Sequence, residues 1–353
     1  MCDYSEYGTP SIEWLTQARN VPSFSPQCES IVEWRGLFNK QREATTAEEF
    51  KSLEPHVRMQ DYSVPTRDGS SIEVRSYRPA NMDAAKILPV YMHLHGGGFL
   101  FGTLATEDAI CARIAVNAQV VVLSVNFRHT PEHGYPTAWN DTGDAFEWLH
   151  NHIGELGGDP ERVILGGISS GGQLAAAFVL KKHLGKASVG RPAIAGQLLQ
   201  IPCLAIMDCY EPQRKRIESR SVSSYEQNRL APLMPLSVCR FFTDLLKIES
   251  PREDDIELNP GNANPAQVRG LPPTVFTIAG WDPLRDEGLL YAKMLAEAGV
   301  PIDVHMFPGL PHGFRRVLGE LAESARWDRV IEQGIAWILS KPTASSSLEI
   351  KTK

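Results

Sequence analysis

The sequence has no basic stripe, no long apolar run, no paired cysteines and no leader pattern, and each absence removes a class of protein. Its 35 Lys and Arg stand against 42 Asp and Glu, a formal net charge of −7. That is the wrong sign for a phosphate backbone, and aromatic residues do not interleave with basic ones, so no nucleic-acid partner is expected. Nothing approaches the roughly 20 apolar residues of a membrane span, so no transmembrane segment is expected either. The six cysteines, at 2, 28, 111, 203, 209 and 239, form no Cys-x-x-Cys pair and no Cys/His cluster with metal-ligand spacing. Cys111 and Cys203 lie in apolar sequence and read as small core residues. Disulfides, metal and cofactors are therefore not expected. The opening Met1-Cys2-Asp3-Tyr4-Ser5-Glu6 lacks the basic-then-apolar order of a secretory signal, which points to a reducing, cytoplasmic location.

What is present is an ordinary soluble composition, 42% hydrophobic and 22% charged over 353 residues, enough for a large core. From about residue 58 strand-like and helix-like stretches alternate, the pattern of an α/β protein with a mostly parallel sheet flanked by helices. Residues 58–64 and 72–78 flank Asp68-Gly69 and predict a hairpin. Strands follow at 88–94, 120–125, 162–165, 194–201, 274–279 and 302–307, with helices at 107–117, 137–152, after residue 170, and at 289–298. Residues 203–265 mix short apolar pieces with prolines and the acidic Glu253-Asp254-Asp255. A structureless loop of that length is improbable in a compact domain, so a helical insertion is expected there. The expected organisation is one domain over 1–353, with helical cap segments at 1–55 and 203–265 and a frayed tail at 343–353.

The chemistry centres on Gly-Gly-Ile-Ser-Ser-Gly-Gly at 166–172, between the apolar run 162–165 and a good helix former at 173–180. Strand, tight turn, helix is the context that a G-x-S-x-G nucleophile elbow needs, with Ser169 at its apex and Gly167 and Gly171 letting backbones pass close by. A serine hydroxyl is a weak nucleophile until a histidine takes its proton, an acid orients that histidine and N–H groups await the oxyanion. His95-Gly96-Gly97-Gly98 follows the strand at 88–94; its glycines carry no Cβ to keep a ligand oxygen from the backbone N–H groups. Gly97, Gly98 and Ser170 are assigned as oxyanion donors. Asp282 follows the strand at 274–279 and is assigned as the acid, against the competing reading of an N-cap before Pro283. Asp286 and Glu287 fall in the first turns of the next helix and are given structural roles. His312, in a loop rich in glycine and proline, is the proposed base. Of the other nine histidines, His93 and His305 read as packing residues on strands, and His129 and His133 as loop residues. His150, His152 and His183 read as exposed helical residues.

With these residues in hand the chain resembles the hormone-sensitive-lipase-like branch of the α/β-hydrolases over about 88–316. The resemblance rests on five motifs in order. They are His95-Gly96-Gly97-Gly98, Asn126-Phe127-Arg128-His129-Thr130-Pro131-Glu132-His133, the elbow, Asp282-Pro283-Leu284-Arg285-Asp286-Glu287, and His312-Gly313-Phe314. It implies an α/β-hydrolase fold, helical segments over the site and carboxylesterase activity. The chain departs from the family pattern at Ile168 and Ser170, where Asp and Ala are usual, and at His129 and Thr130. The expectation is hydrolysis of small apolar esters or lactones through an acyl-enzyme. Two alternatives stay open: acyl transfer to a hydroxyl or amine, including lactone-forming release, and a small-molecule binder that has lost turnover. Phe99, Leu100 and Phe101, with Phe241 and Phe242 of the insertion, are expected to form an apolar substrate pocket. An exposed sheet edge would allow a homodimer.

Overall fold

A computed structural model describes residues 1–18, 30–345 and 347–353. Cys28, part of the expected segment 1–55, and Ser346 of the tail lie outside the described residues. One sheet runs in the order β1-β2-β4-β3-β5-β6-β7-β8-β9. β1 (Val57–Pro65) and β2 (Ser71–Pro79) form the hairpin, and β2 is also antiparallel to β4 (Val121–Asn126). β3 (Leu88–Leu94), β5 (Gly158–Ile168), β6 (Gly196–Gln200), β7 (Thr274–Trp281) and β8 (Ile302–Pro311) continue in parallel from β4.

These strands read as nearly unbroken apolar runs because both of their faces are buried. Val90, Met92 and Leu94 point to one face and Tyr91 to the other; Leu165 and Leu199 join the first set, Ile164 and Leu198 the second. α4 (Thr137–His152), α5 (Ser170–His183) and α10 (Arg285–Glu297) cover the first face, and α3 (Asp108–Ala118) and α12 (Ala322–Leu339) cover the second. Two expectations are corrected here. His150 is buried in α4, its ring 4.6 Å from that of Phe146 four residues back, because the helix turns that face to the core. The C-terminal tail ends in β9 (Ile350–Lys351), which pairs with β8 and sets Lys351 Nζ 2.7 Å from Asp303.

Two regions lie outside this layered body. Near the N-terminus are α1 (Ile12–Gln17) and the 20-residue α2 (Ile31–Phe50), whose N-cap Ser30 accepts from Glu33 N–H. Between β6 and β7 the chain makes the short α6 (Glu211–Arg214) and α7 (Ser224–Gln227), the ten-residue α8 (Leu236–Leu245) and the short α9 (Pro265–Val268). Trp34 and Phe38 of α2 pack on Phe101 at ring separations of 5.0 and 4.4 Å, and Phe241 of α8 lies 6.0 Å from Trp34. A last short helix, α11 (Phe314–Val317), follows β8. Among the described residues no helix is long and apolar enough to cross a membrane.

Candidate active site

The parallel strands β3, β5, β7 and β8 deliver the expected motifs to one end of the sheet, where ligands bind in folds of this kind. β5 breaks at Ser169, whose φ of +55° lies in the left-handed region that non-glycine residues avoid. Such a residue costs about 1–3 kcal/mol and persists where its surroundings hold it. Here Ser169 N–H donates to Gln200 O of β6 at 2.8 Å, and Ser169 O accepts from Gln173 N–H at 3.0 Å. The flanking glycines are required sterically. A Cβ on Gly171 would collide with the carbonyl oxygens of Leu94 and His95, and one on Gly167 with the backbone of Gly171. The elbow and the end of β3 therefore touch backbone to backbone.

Ser169 Oγ lies 2.9 Å from His312 Nε2, and His312 Nδ1 lies 2.7 Å from Asp282 Oδ2. The three residues come from positions 169, 282 and 312 and are all buried. Asp282 divides its oxygens: Oδ2 faces the imidazole, while Oδ1 accepts from Leu284 N–H at 2.9 Å. Because α10 starts at Arg285, Pro283 stands outside the helix, and the local turn and the histidine contact share one carboxylate. Sequence reasoning missed Asn228, which donates from Nδ2 to Asp282 O at 2.9 Å and to Gly280 O at 3.2 Å, bracing the end of β7. No local pattern marks an asparagine that acts across 54 residues.

Gly97 and Gly98 have φ of +137° and +63°, and Gly97 O accepts from Leu100 and Phe101 N–H at 3.1 and 2.9 Å. That turn carries Leu100 and Phe101 away from Ser169 into the cluster with Trp34, so of the three residues expected to line a substrate pocket only Phe99 borders the cavity beside Ser169. The correction has a plain cause: successive residues of a tight turn point in different directions. A cavity of about 40 Å³ adjoins Ser169, with Phe99, Ser170 and Gln173 on the sheet side and Met207, Tyr225, Met234 and Phe242 among its walls from the insertion. Phe242 closes over Gly98, where a Cβ would enter its ring. Phe241, also expected in the pocket, lies outside the cavity lining, its ring 5.6 Å from that of Phe242 and 6.0 Å from that of Trp34.

Burial shifts the other titratable groups around the cavity. Cys203 and Cys239 also line the cavity, but burial pushes both thiols well above their ordinary pKa, so they stay protonated and unreactive. Burial likewise drives His95 down to about 4, leaving a neutral ring stacked on Phe127 at 4.2 Å. Glu287 is raised to about 8 by burial, although it accepts from Leu204 and Ala205 N–H at 2.6 and 3.1 Å and from Tyr225 OH at 2.8 Å. Asp286 Oδ2 accepts from Ser224 N–H at 2.7 Å. Both carboxyls thus hold the insertion, a more specific structural role than complementing a helix dipole. On the other flank, buried Glu107 meets Arg316 at 2.7 Å, His93 at 3.0 Å and Arg42 at 3.4 Å, tying α11, β3 and α2 together behind the His312 loop. His305 pairs with Asp303 at 3.0 Å on the strand.

A strained serine between strand and helix, with acid and histidine on the following strand ends, is the layout of the α/β-hydrolase class. Residues 91–316 match the model of a family described as having the alpha/beta hydrolase fold. Over 266 residues the chain is 32% identical to the esterase LipI of Mycobacterium tuberculosis, covering 74% of this chain and 76% of that one. It is 33% identical over 267 residues to an ethyl acetate hydrolase of Pseudomonas putida, covering 75% and 78%. Among solved structures it is similar to a bacterial heroin esterase, with a TM-score of 0.80 and 31% identity over 94% of this chain and 99% of that one. It is also similar to vibralactone cyclase, with a TM-score of 0.82 and 27% identity over 95% and 96%. The chain belongs to this α/β-hydrolase family, in its hormone-sensitive-lipase-like branch. It is a carboxylesterase-type hydrolase.

Proposed function

We propose that the protein cleaves small, largely apolar carboxylic esters through an acyl-enzyme on Ser169. The observation that carries this reading is the continuous contact Ser169 Oγ–His312–Asp282, with separations of 2.9 and 2.7 Å. His312 Nε2 takes the hydroxyl proton as Oγ attacks the ester carbonyl, and Asp282 holds the imidazole with Nδ1–H towards it and stabilises the imidazolium. The N–H groups of Gly97, Gly98 and Ser170 receive the oxyanion. His312 then gives its proton to the leaving alcohol, and water attacks the acyl-enzyme with the same base. α2 and the insertion act as a cap that excludes bulk water and bounds the substrate. The apolar walls formed by Met207, Met234, Phe242, Leu246 and Leu284 favour short apolar chains. The ethyl acetate hydrolase among the relatives is consistent with a small ester.

The test is turnover of p-nitrophenyl esters from acetate to laurate, with Ser169→Ala as control. Short-chain hydrolysis and loss of at least about 10⁴-fold in kcat in the variant are expected; unchanged turnover in Ser169→Ala would sink the mechanism. A second reading, capture of the acyl group by a hydroxyl of the substrate itself to form a lactone, is favoured by the likeness to vibralactone cyclase. Mass spectrometry of the products from a hydroxyacyl thioester separates the two: free acid alone counts against lactone formation.

A further inference from the structure

Two polar residues of the first turn of α5 border the cavity beside Ser169. Ser170 and Gln173 are 2% and 0% exposed, and both line it. Three residues apart on a helix, they share one face. Gln173 Nε2 donates to Leu258 O at 2.5 Å, which fixes the amide and leaves Oε1 as a buried acceptor without a partner among the described residues. Ser170 Oγ is likewise buried and without a partner among the described residues. Buried oxygens are rarely left this way, and each asks for an explanation. The neighbouring walls offer none. Tyr225 OH donates to Glu287 at 2.8 Å, Thr243 Oγ1 donates to Cys239 O at 3.0 Å, and the Cys203 thiol faces Ala205 O at 3.7 Å. The remaining surface is largely methionine, leucine and phenylalanine.

We propose that Ser170 and Gln173 form a subsite for a hydroxyl group on the substrate, so that the ester this enzyme handles best is apolar except for one hydroxyl near its carbonyl. This rests on the ester-cleaving reading above. The substrate O–H donates to Gln173 Oε1, and its oxygen accepts from the Ser170 hydroxyl. A hydroxyl both donates and accepts, and these two atoms supply the complementary pair. Because Ser170 N–H is also assigned to the oxyanion, the recognised hydroxyl stands within two or three bonds of the ester group. A purely alkyl chain in the same place would leave both oxygens unpaired, and a site built to bond a hydroxyl discriminates against the analogue that lacks it. The subsite also gives a use to Ser170, one of the two elbow positions that depart from the family pattern.

The experiment compares kcat/KM of the full chain on matched esters. One pair places the hydroxyl on the acyl side, p-nitrophenyl β-hydroxybutyrate against p-nitrophenyl butyrate. The other places it on the alcohol side, glycol monoacetate against ethyl acetate. A preference of about tenfold or more for the hydroxylated member of one pair is expected, and the pair that shows it says which side carries the group. Ser170→Ala and Gln173→Met should each bring that ratio towards one, the ratio being read within each variant so that any change in its overall rate cancels. Ratios near one for both pairs in the unaltered enzyme, or a ratio that either variant leaves in place, overturn the proposal. Neither result touches the ester-cleaving reading, which fails separately if plain butyrate is not turned over and Ser169 does not label. Ser170→Ala removes a single oxygen, so it keeps the test valid even if Gln173→Met disturbs the Leu258 contact.

Discussion

The strand-end loops that carry Ser169, Asp282 and His312, and the segment between β6 and β7, meet around Ser169 but are held in different ways. At the strand ends backbone presses on backbone: a Cβ on Gly167 or Gly171 would meet the Leu94 carbonyl oxygen, and Ser169 is pinned by Gln200 O. The insertion is held by side chains reaching into it from the body. Glu287 accepts from Leu204, Ala205 and Tyr225 and Asp286 from Ser224, while within the insertion Asn259 Oδ1 accepts from Ile206 N–H at 3.0 Å. Backbone contact fixes atoms to a fraction of an ångström, which attack on a carbonyl demands. Side-chain anchoring lets the walls change with sequence while the reacting atoms stay put.

That contrast can be broken or sharpened by substitution. The largest effect belongs to the strand ends: Asp282→Asn should lower kcat by about 10⁴-fold with unchanged circular dichroism, because the imidazole loses its orienting charge. Gly97→Ala comes next, at about 10²–10³-fold, because a side chain at φ +137° meets Phe101 O and turns the oxyanion N–H. A mild effect in stopped-flow acylation would show that this loop tolerates movement. In the insertion, Phe242→Ala should spare Ser169 labelling and raise kcat/KM for long relative to short esters by about tenfold, by opening the cavity beside Gly98. A uniform loss across chain lengths would instead mean that the insertion helps align the reacting atoms.

The smallest effect concerns the anchor. Burial raises Glu287 to about 8 from 4.5, so across that interval the folded chain holds a proton the unfolded chain has released. Stability from this group is complete below about 4.5 and is lost as pH rises through about 8. Melting temperature should therefore fall over that window more steeply in the native protein than in Glu287→Gln. Parallel curves in scanning calorimetry would show that Glu287 is ionised in the fold.

Much of the site was legible because its parts obey local rules. A serine at a strained turn needs glycines two residues either side, oxyanion donors need a loop without Cβ atoms, and each motif follows an apolar strand of recognisable length. α4 was read at 137–152, and β3 at 88–94, as observed. Leu100 and Phe101 were misassigned because composition does not reveal which way a turn sends each side chain, and α2 claims both. Asn228, Met207, Tyr225 and Met234 carried no periodic signal. The last two strand residues, Ile350 and Lys351, looked like a tail because nothing nearby in sequence announces pairing with β8.

By itself, then, the sequence determined an α/β body with a serine, an acid and a histidine at the ends of three of its parallel strands, because strand, turn and glycine requirements act over a few residues. Only the tertiary structure decided what surrounds that serine. Apart from Ser170 and Gln173, the cavity wall is assembled from residues 34 (Cys203) to 115 (Leu284) positions from Ser169, held by buried carboxyl and amide groups whose partners are set by packing rather than by spacing.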